Sequence, residues 1–177
     1  MTPEDNFEYW YKQGIGFSDL EKYGEALTCF EKAIELSSNN NDLSDAWNET
    51  GFVKEALKDF DSAIFCQTKA IEFNPKNANA WYMKGVSFGK QKKYFDAEVC
   101  YKKALEINPN DNQSLDNLGN VRFNLEDYNG AITYYNQSIS VDPKQCMPWE
   151  NKAKALKKLG LSDEAEDCYH MAKKLGA

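Results

Sequence analysis

The side chains that could do chemistry in this 177-residue chain are few: one histidine, five cysteines and the stretch Gly14-Ile15-Gly16. Acid–base catalysis needs a partner within hydrogen-bond reach and a pocket around it. His170 falls at a phase that puts it near the outside of a helix, so no catalytic role is expected. Cys29, Cys66, Cys100 and Cys168 recur at one phase of a repeating pattern, which invites a metal reading. Geometry opposes it. Equivalent helices of neighbouring units are separated by an intervening helix, and helix axes pack about 8–10 Å apart. Zinc needs Zn–S bonds of about 2.3 Å, and a disulfide needs Cα atoms within about 7 Å. These cysteines read instead as small hydrophobes at helix contacts. Cys146 stands at another phase, at a helix start where a thiol pKa can fall, and no role is assigned to it. Gly14-Ile15-Gly16 lacks the preceding strand and third glycine of a phosphate loop. No catalytic residue, metal site or cofactor is expected.

The elements that carry these residues follow from composition and period. The chain is 42% hydrophobic, enough to bury a core, yet its apolar runs are short, such as Ala63-Ile64-Phe65-Cys66. None approaches the ~20 apolar residues of a membrane span. Lys+Arg number 21 against 28 Asp+Glu, a net charge of -7. Phosphate-backbone binding favours a basic surface, so no nucleic-acid partner is expected. The start, Met1-Thr2-Pro3-Glu4-Asp5, has neither the basic nor the apolar region of a secretory signal. Thr2 reads as an N-cap, with Pro3, Glu4 and Asp5 in the first helical turn. Five cysteines without a C-x-x-C pair read as reduced thiols of a cytoplasmic protein.

Internal repetition is the strongest signal. Pro75, Pro109 and Pro143 are 34 residues apart. Trp47 and Trp81 differ by 34, Trp81 and Trp149 by 68, and Trp10 precedes Trp47 by 37. Small residues follow four positions later at Gly14, Gly51, Gly85, Gly119 and Ala153. Two further columns run Ala26, Ala63, Ala97, Ala131, Ala165 and Ala33, Ala70, Ala104, Ser138, Ala172. Trp81, Gly85 and Phe88 share one helix face, as do Ala97, Tyr101 and Ala104. Each unit is therefore a helix hairpin, closed by a proline that cannot continue the second helix. The tryptophan column reads as core, its indoles lodged in gaps left by the small residues. The expected organisation is one domain, 1–177, with repeats at 7–40, 44–77, 78–111, 112–145 and 146–177 and an insertion at 41–43. That insertion predicts a longer loop and an altered stacking angle. Lys54 and Gln67 stand where other units mostly put apolar residues, as does Arg122. They predict a looser second unit or outward-reaching stems.

A tryptophan four residues before a glycine, then Tyr/Phe, Ala, an aromatic, Ala and Pro at a period of 34, resembles the tetratricopeptide repeat family. The third unit carries it most fully: Trp81, Gly85, Tyr94, Ala97, Tyr101, Ala104 and Pro109. The resemblance implies an all-α solenoid of five tandem helix-turn-helix repeats, wound as a right-handed superhelix. It also implies a concave groove lined by the first helix of each unit. Transferred here, the groove comprises Tyr11 and Ile15; Asn48 and Phe52; Tyr82 and Val86; Asn117, Asn120 and Phe123; Asn151 and Lys154. Carboxamides can give and take hydrogen bonds with a peptide backbone, and aromatic rings bury apolar side chains at low entropy cost.

One subclass of the family clamps the C-terminal carboxylate of heat-shock chaperones with Lys, Asn and Arg. From the first repeat the matching places read Tyr11, Ile15, Glu49, Asn79 and Met83. From the second they read Asn48, Phe52, Met83, Gln113 and Asn117, and from the third Tyr82, Val86, Asn117, Met147 and Asn151. Only Asn117, in the set that begins at the third repeat, agrees, and the basic residues that pair a carboxylate are missing. Another subclass holds the peptide backbone with a ladder of groove asparagines, to which Asn117 and Asn151 are similar. The expected function is a non-catalytic scaffold for an extended peptide or helix of a partner protein. The alternative is self-assembly as a homodimer: the family usually ends in a sealing helix, whereas Leu161, Ala165 and Tyr169 lie in the last helix before Leu175-Gly176-Ala177. The basic cluster Lys152, Lys154, Lys157 and Lys158 contrasts with an acidic N-terminal half.

Overall fold

The computed structural model describes residues 6–176. Among them ten α-helices follow one another, with no strand: α1 (Phe7–Asp19), α2 (Tyr23–Leu36), α3 (Asn40–Ala56), α4 (Phe60–Phe73), α5 (Ala78–Lys90), α6 (Tyr94–Ile107), α7 (Asn112–Asn124), α8 (Tyr128–Val141), α9 (Cys146–Lys158) and α10 (Ser162–Lys174). The all-α class and the five helix pairs agree with the sequence. The chain falls into two compact units, Met1–Lys93 with α1 to α5 and Tyr94–Ala177 with α6 to α10. Within each unit every helix packs on the next.

The turns inside the pairs share one backbone solution. Glu21, Lys58, Lys92 and Glu126 have φ near +60°, and Gly160 has φ +80°. The following N–H reaches back to the helix: Lys22 to Phe17 O, Asp59 to Lys54 O, Lys93 to Phe88 O, Asp127 to Arg122 O and Leu161 to Leu156 O, at 2.9–3.1 Å. This is the Schellman closure, whose two end side chains normally touch as an apolar pair. Here the pair varies. Lys22 lies 6.0 Å from the Phe17 ring centre, and Lys93 lies 6.0 Å from that of Phe88. Arg122 Nη1 pairs with Asp127 Oδ2 at 3.4 Å. Lys54 is only half-buried, and its charge is felt by Asp59. Lys54 and Arg122 thus stand at turn closures beside an acid, where a charged head meets its complement.

Caps set the helix starts. Asn77 and Asp111 accept from Ala80 N and Ser114 N, while Asp59 and Asp127 do the same for Ser62 N and Gly130 N. Each such cap satisfies one of the four free N–H groups of a helix start. The cap of α1 is Asn6, which accepts from Tyr9 N at 2.8 Å. The residues expected to cap it, Thr2 to Asp5, lie outside the described residues. Pro75, Pro109 and Pro143 each follow the end of a second helix by two residues.

Three expectations need correction. The insertion 41–43 is helical. α3 starts at Asn40, capped by Asn39 Oδ1 accepting from Asn41 N at 2.8 Å, and runs for 17 residues. Its added turn is held by Asn74 Nδ2 donating to Asn41 Oδ1 at 3.3 Å. Gln67 does not loosen its unit: it is fully buried, and its Nε2 donates to Asn48 O at 3.2 Å. The indoles do not fill the glycine notches. A Cβ on Gly14 would lie 2.5 Å from Phe30 Cε1, and those on Gly51 and Gly119 would meet Gln67 and Tyr135. The notch is therefore taken by the second helix's aromatic, or by Gln67. Trp10, Trp47, Trp81 and Trp149 are half-buried at the edge of the core. Trp81 and Trp149 tether a loop, their Nε1 donating to Pro75 O and Pro143 O at 3.1 and 3.3 Å.

Candidate functional site

The residues first weighed for chemistry are spread over several helices. His170 is exposed and faces Glu166 one turn away, 3.6 Å off. Cys29, Cys66, Cys100 and Cys168 are buried, and none of them is in a disulfide. Burial pushes Cys66 up to about 11 and raises Cys29 and Cys168, which disfavours the thiolate a metal or a nucleophilic reaction needs. Among the described residues no cluster of His, Cys, Asp and Glu could hold a metal ion. No helix there is long and apolar enough to cross a membrane.

In the first unit, α3 lies beside both α1 and α5, so three first helices form one face. Tyr11 on α1 stacks on Phe7, ring centres 5.1 Å apart, and tilts against Phe30 at 6.1 Å. Its phenol is driven well above the usual tyrosine range by burial, and next by the charges of Glu49, Asp45 and Glu8. Ile15, Tyr82 and Val86 are half-buried. Phe52 is 43% exposed. Asn48 is only 4% exposed, so it supports the face rather than presenting a surface. Its Nδ2 donates to Glu49 Oε1 at 3.2 Å, and its Oδ1 has no partner.

Sequence reasoning left Glu49 and Asp45 out of the expected groove. Glu49 did occupy one place of the chaperone-clamp comparison, where it was weighed only as a mismatch. Burial raises its carboxyl, an effect its hydrogen bond from Asn48 opposes and Asp45 and Asp19 reinforce. Asp45 is raised by burial and by Asp42.

In the second unit α7 touches α9. Asn151 Nδ2 donates to both oxygens of Asp116 at 3.5 Å. Lys154 pairs with Glu150 at 3.0 Å and reaches Asn151 Oδ1 at 3.5 Å. Asp116, which the sequence did not single out, is 8% exposed. Burial raises its carboxyl, against the hydrogen bonds from Asn151 and Asn120 and the Lys154 charge. Asn120 Oδ1 accepts from the Tyr135 hydroxyl at 2.9 Å. Phe123 meets Tyr128 edge-on at 5.3 Å and packs on the cluster of Ala131, Tyr135 and Ala155. Asn120 and Phe123 therefore serve the packing of α7 on α8. Asn117 is half-buried on α7.

Comparison with known proteins agrees with this architecture. The tetratricopeptide repeat model matches residues 7–40, 44–77, 78–111 and 113–145. Anaphase-promoting complex subunit 3 of Schizosaccharomyces pombe is 28% identical over 158 residues, 89% of this chain. The chain spans about a quarter of that relative's length, 23%. Among solved structures, that of PilF from Pseudomonas aeruginosa superposes with a TM-score of 0.86 at 20% identity, covering 97% of this chain and 77% of that one. A MamA crystal structure gives 0.83 at 19% identity, covering 99% and 93%. YrrB, described as having an unusual peptide-binding site, gives 0.77 at 19% identity, covering 97% and 87%.

Proposed function

The chain belongs to the tetratricopeptide repeat family, and on that premise we propose that it is a non-catalytic scaffold that docks an extended segment of a partner protein on the first-helix faces of its hairpins. The observation that carries this reading is Phe52. It is 43% exposed on a helix whose packing is already made by Ala46, Thr50, Gly51 and Val53. A large apolar ring kept at the surface offers a ligand side chain contact area that the fold does not use. Within the second unit, the first-helix face carries the half-buried carboxamides Asn117 and Asn151. YrrB, a protein of the same fold described as having an unusual peptide-binding site, supports the reading by analogy alone.

The test is selection from a random-peptide display library, followed by amide chemical-shift mapping of the selected peptides. Shifts are expected along α1, α3, α5, α7 and α9. Shifts confined to the second helices, or failure to select any peptide, overturn the proposal. Because half-buried Phe123 packs against the core, a useful groove variant is Phe52→Ser, and Phe123→Ala is avoided.

A second reading, pairing between copies through the last hairpin, is favoured by an open cleft of about 250 Å³ there. Trp149, Leu156 and Met171 line it, rimmed by Lys152, Glu164 and Asp167. A mass that stays monomeric across a hundredfold concentration range by light scattering excludes this reading.

A further inference from the structure

Most buried or half-buried carboxylates of a stable fold find a cation. In the second unit Glu98 follows that rule, accepting from Arg122 and from Lys102. The α1–α3 face of the first unit breaks it. Half-buried Glu49 and the exposed Asp45 stand four residues apart on α3, where like charges repel. No Lys or Arg pairs with either of them among the described residues. The nearby Glu8 is already held by Lys12 at 2.8 Å.

A second, independent feature is Asn48. It is 96% buried, and the carboxamide that donates to Glu49 leaves its Oδ1 without a partner. The site thus gathers two carboxylates, with the Asn48 amide donating to Glu49, and a buried carbonyl oxygen left unpaired. Tyr11, whose phenol feels both carboxylates, borders it, and Phe52 continues the surface one turn on from Asn48.

We infer that this face takes a positively charged side chain, lysine or arginine, from the docked peptide. The chemistry is complementary. An ammonium brings three donors and a guanidinium five, with no acceptor. An aromatic ring adds a favourable surface for either. A bound cation removes the repulsion between Asp45 and Glu49 and offsets the cost of having desolvated them. The first two repeats are acidic throughout, with Lys/Arg 3 against Asp/Glu 6 in Phe7–Asn40 and 4 against 6 in Ser44–Asn77. That balance steers a basic segment toward this unit. No metal is required, since a flexible organic cation can use two carboxylates and a ring without fixed coordination.

The inference rests on the docking reading above, and its test separates the two. The full chain and its Asp45→Asn/Glu49→Gln variant are used to select from one random dodecapeptide display library. Both substitutions keep shape, and circular dichroism checks the fold. The wild type is expected to enrich peptides with Lys or Arg at one fixed position. Replacing that residue by norleucine or citrulline weakens the free peptide about tenfold by fluorescence anisotropy, the effect of losing one charge-assisted contact of about 1.4 kcal/mol. The variant is expected to select peptides without that bias and to bind the paired peptides within about twofold of each other. Peptides that map to α1 and α3 with no basic preference overturn the inference while the docking reading stands. If no selected peptide maps to the first helices, both fall. Should the variant fail to fold, the paired peptides on the wild type decide alone.

Discussion

Tyr135 occupies the space that a Cβ on Gly119 would fill, and its hydroxyl donates to Asn120 Oδ1 at 2.9 Å. Backbone approach and a polar anchor are thus combined at one ring, which is 1% exposed. Gly119→Ala forces that ring to move. Overpacking of this kind costs about 1–3 kcal/mol, and better helix propensity returns about 1 kcal/mol. The expected net loss is about 0–2 kcal/mol in urea denaturation. Tyr135→Phe keeps the ring and is expected to cost about 1 kcal/mol, the net worth of one hydrogen bond.

Gln67 is the exception in its column, where Phe30 and Tyr135 take the notch. Its Oε1 is buried with no partner, while its Nε2 uses a helical carbonyl of Asn48. Gln67→Met keeps length and volume and removes an unpaired acceptor. Leaving such a group buried costs about 1–3 kcal/mol, so the substitution is expected to raise stability by about 1 kcal/mol. A fall in the urea midpoint would show that the amide hydrogen bond outweighs the orphan oxygen.

The hairpins were legible in the sequence because glycine, alanine and proline at a fixed period mark backbone events. Which ring fills the glycine notch was not. Tryptophan and the second-helix aromatics share one period, and period alone cannot say which of two in-phase columns is deeper. Asn48 shows the same limit at the site. Its helical phase matched the groove, yet its side chain is 4% exposed and spends its amide on Glu49, while Gln67 bonds its backbone carbonyl from the next helix. Asp116 and Glu49 passed as ordinary acids because their burial depends on the neighbouring helix, which no local pattern reports. Lys54 and Arg122 looked like polar intrusions into a core. They belong to turn closures, where the partner five residues on, Asp59 or Asp127, was visible but unpaired in the reading.

Arg122 joins two acids of different burial. The Asp127 side chain is 44% exposed, and that of Glu98 is 10% exposed. Half-exposed pairs are worth about 0–1 kcal/mol, whereas removing one partner of a buried pair costs about 3–5 kcal/mol. A double-mutant cycle of Arg122→Met with Asp127→Asn is expected to give a coupling below about 1 kcal/mol. The cycle with Glu98→Gln is expected to exceed it, moderated because Lys102 still holds Glu98 at 2.6 Å. Equal couplings would mean that burial does not rank these pairs.

Asp45, Glu49 and Asp116 are all raised by burial, so the folded chain holds their protons more readily than the unfolded chain does. The sign follows from linkage. For each, the folded pKa exceeds the unfolded one. The associated stability is fully present below the unfolded pKa and is lost as pH rises through the folded pKa. Asp59 runs the other way: the Ser62 side-chain and backbone hydrogen bonds hold its carboxyl below the usual range, and its contribution is lost as pH falls through that lowered value. The two windows do not coincide. Lowering the pH from neutral toward about 4.5, near the ordinary carboxylate range, is therefore expected to raise the melting temperature first, before acid unfolding begins. Glu49→Gln with Asp116→Asn is expected to lift stability at neutral pH and flatten that rise. A wild-type melting temperature that only falls between neutral pH and about 4.5 would mean that the hydrogen bonds from Asn48, Asn120 and Asn151 outweigh desolvation at these carboxyls.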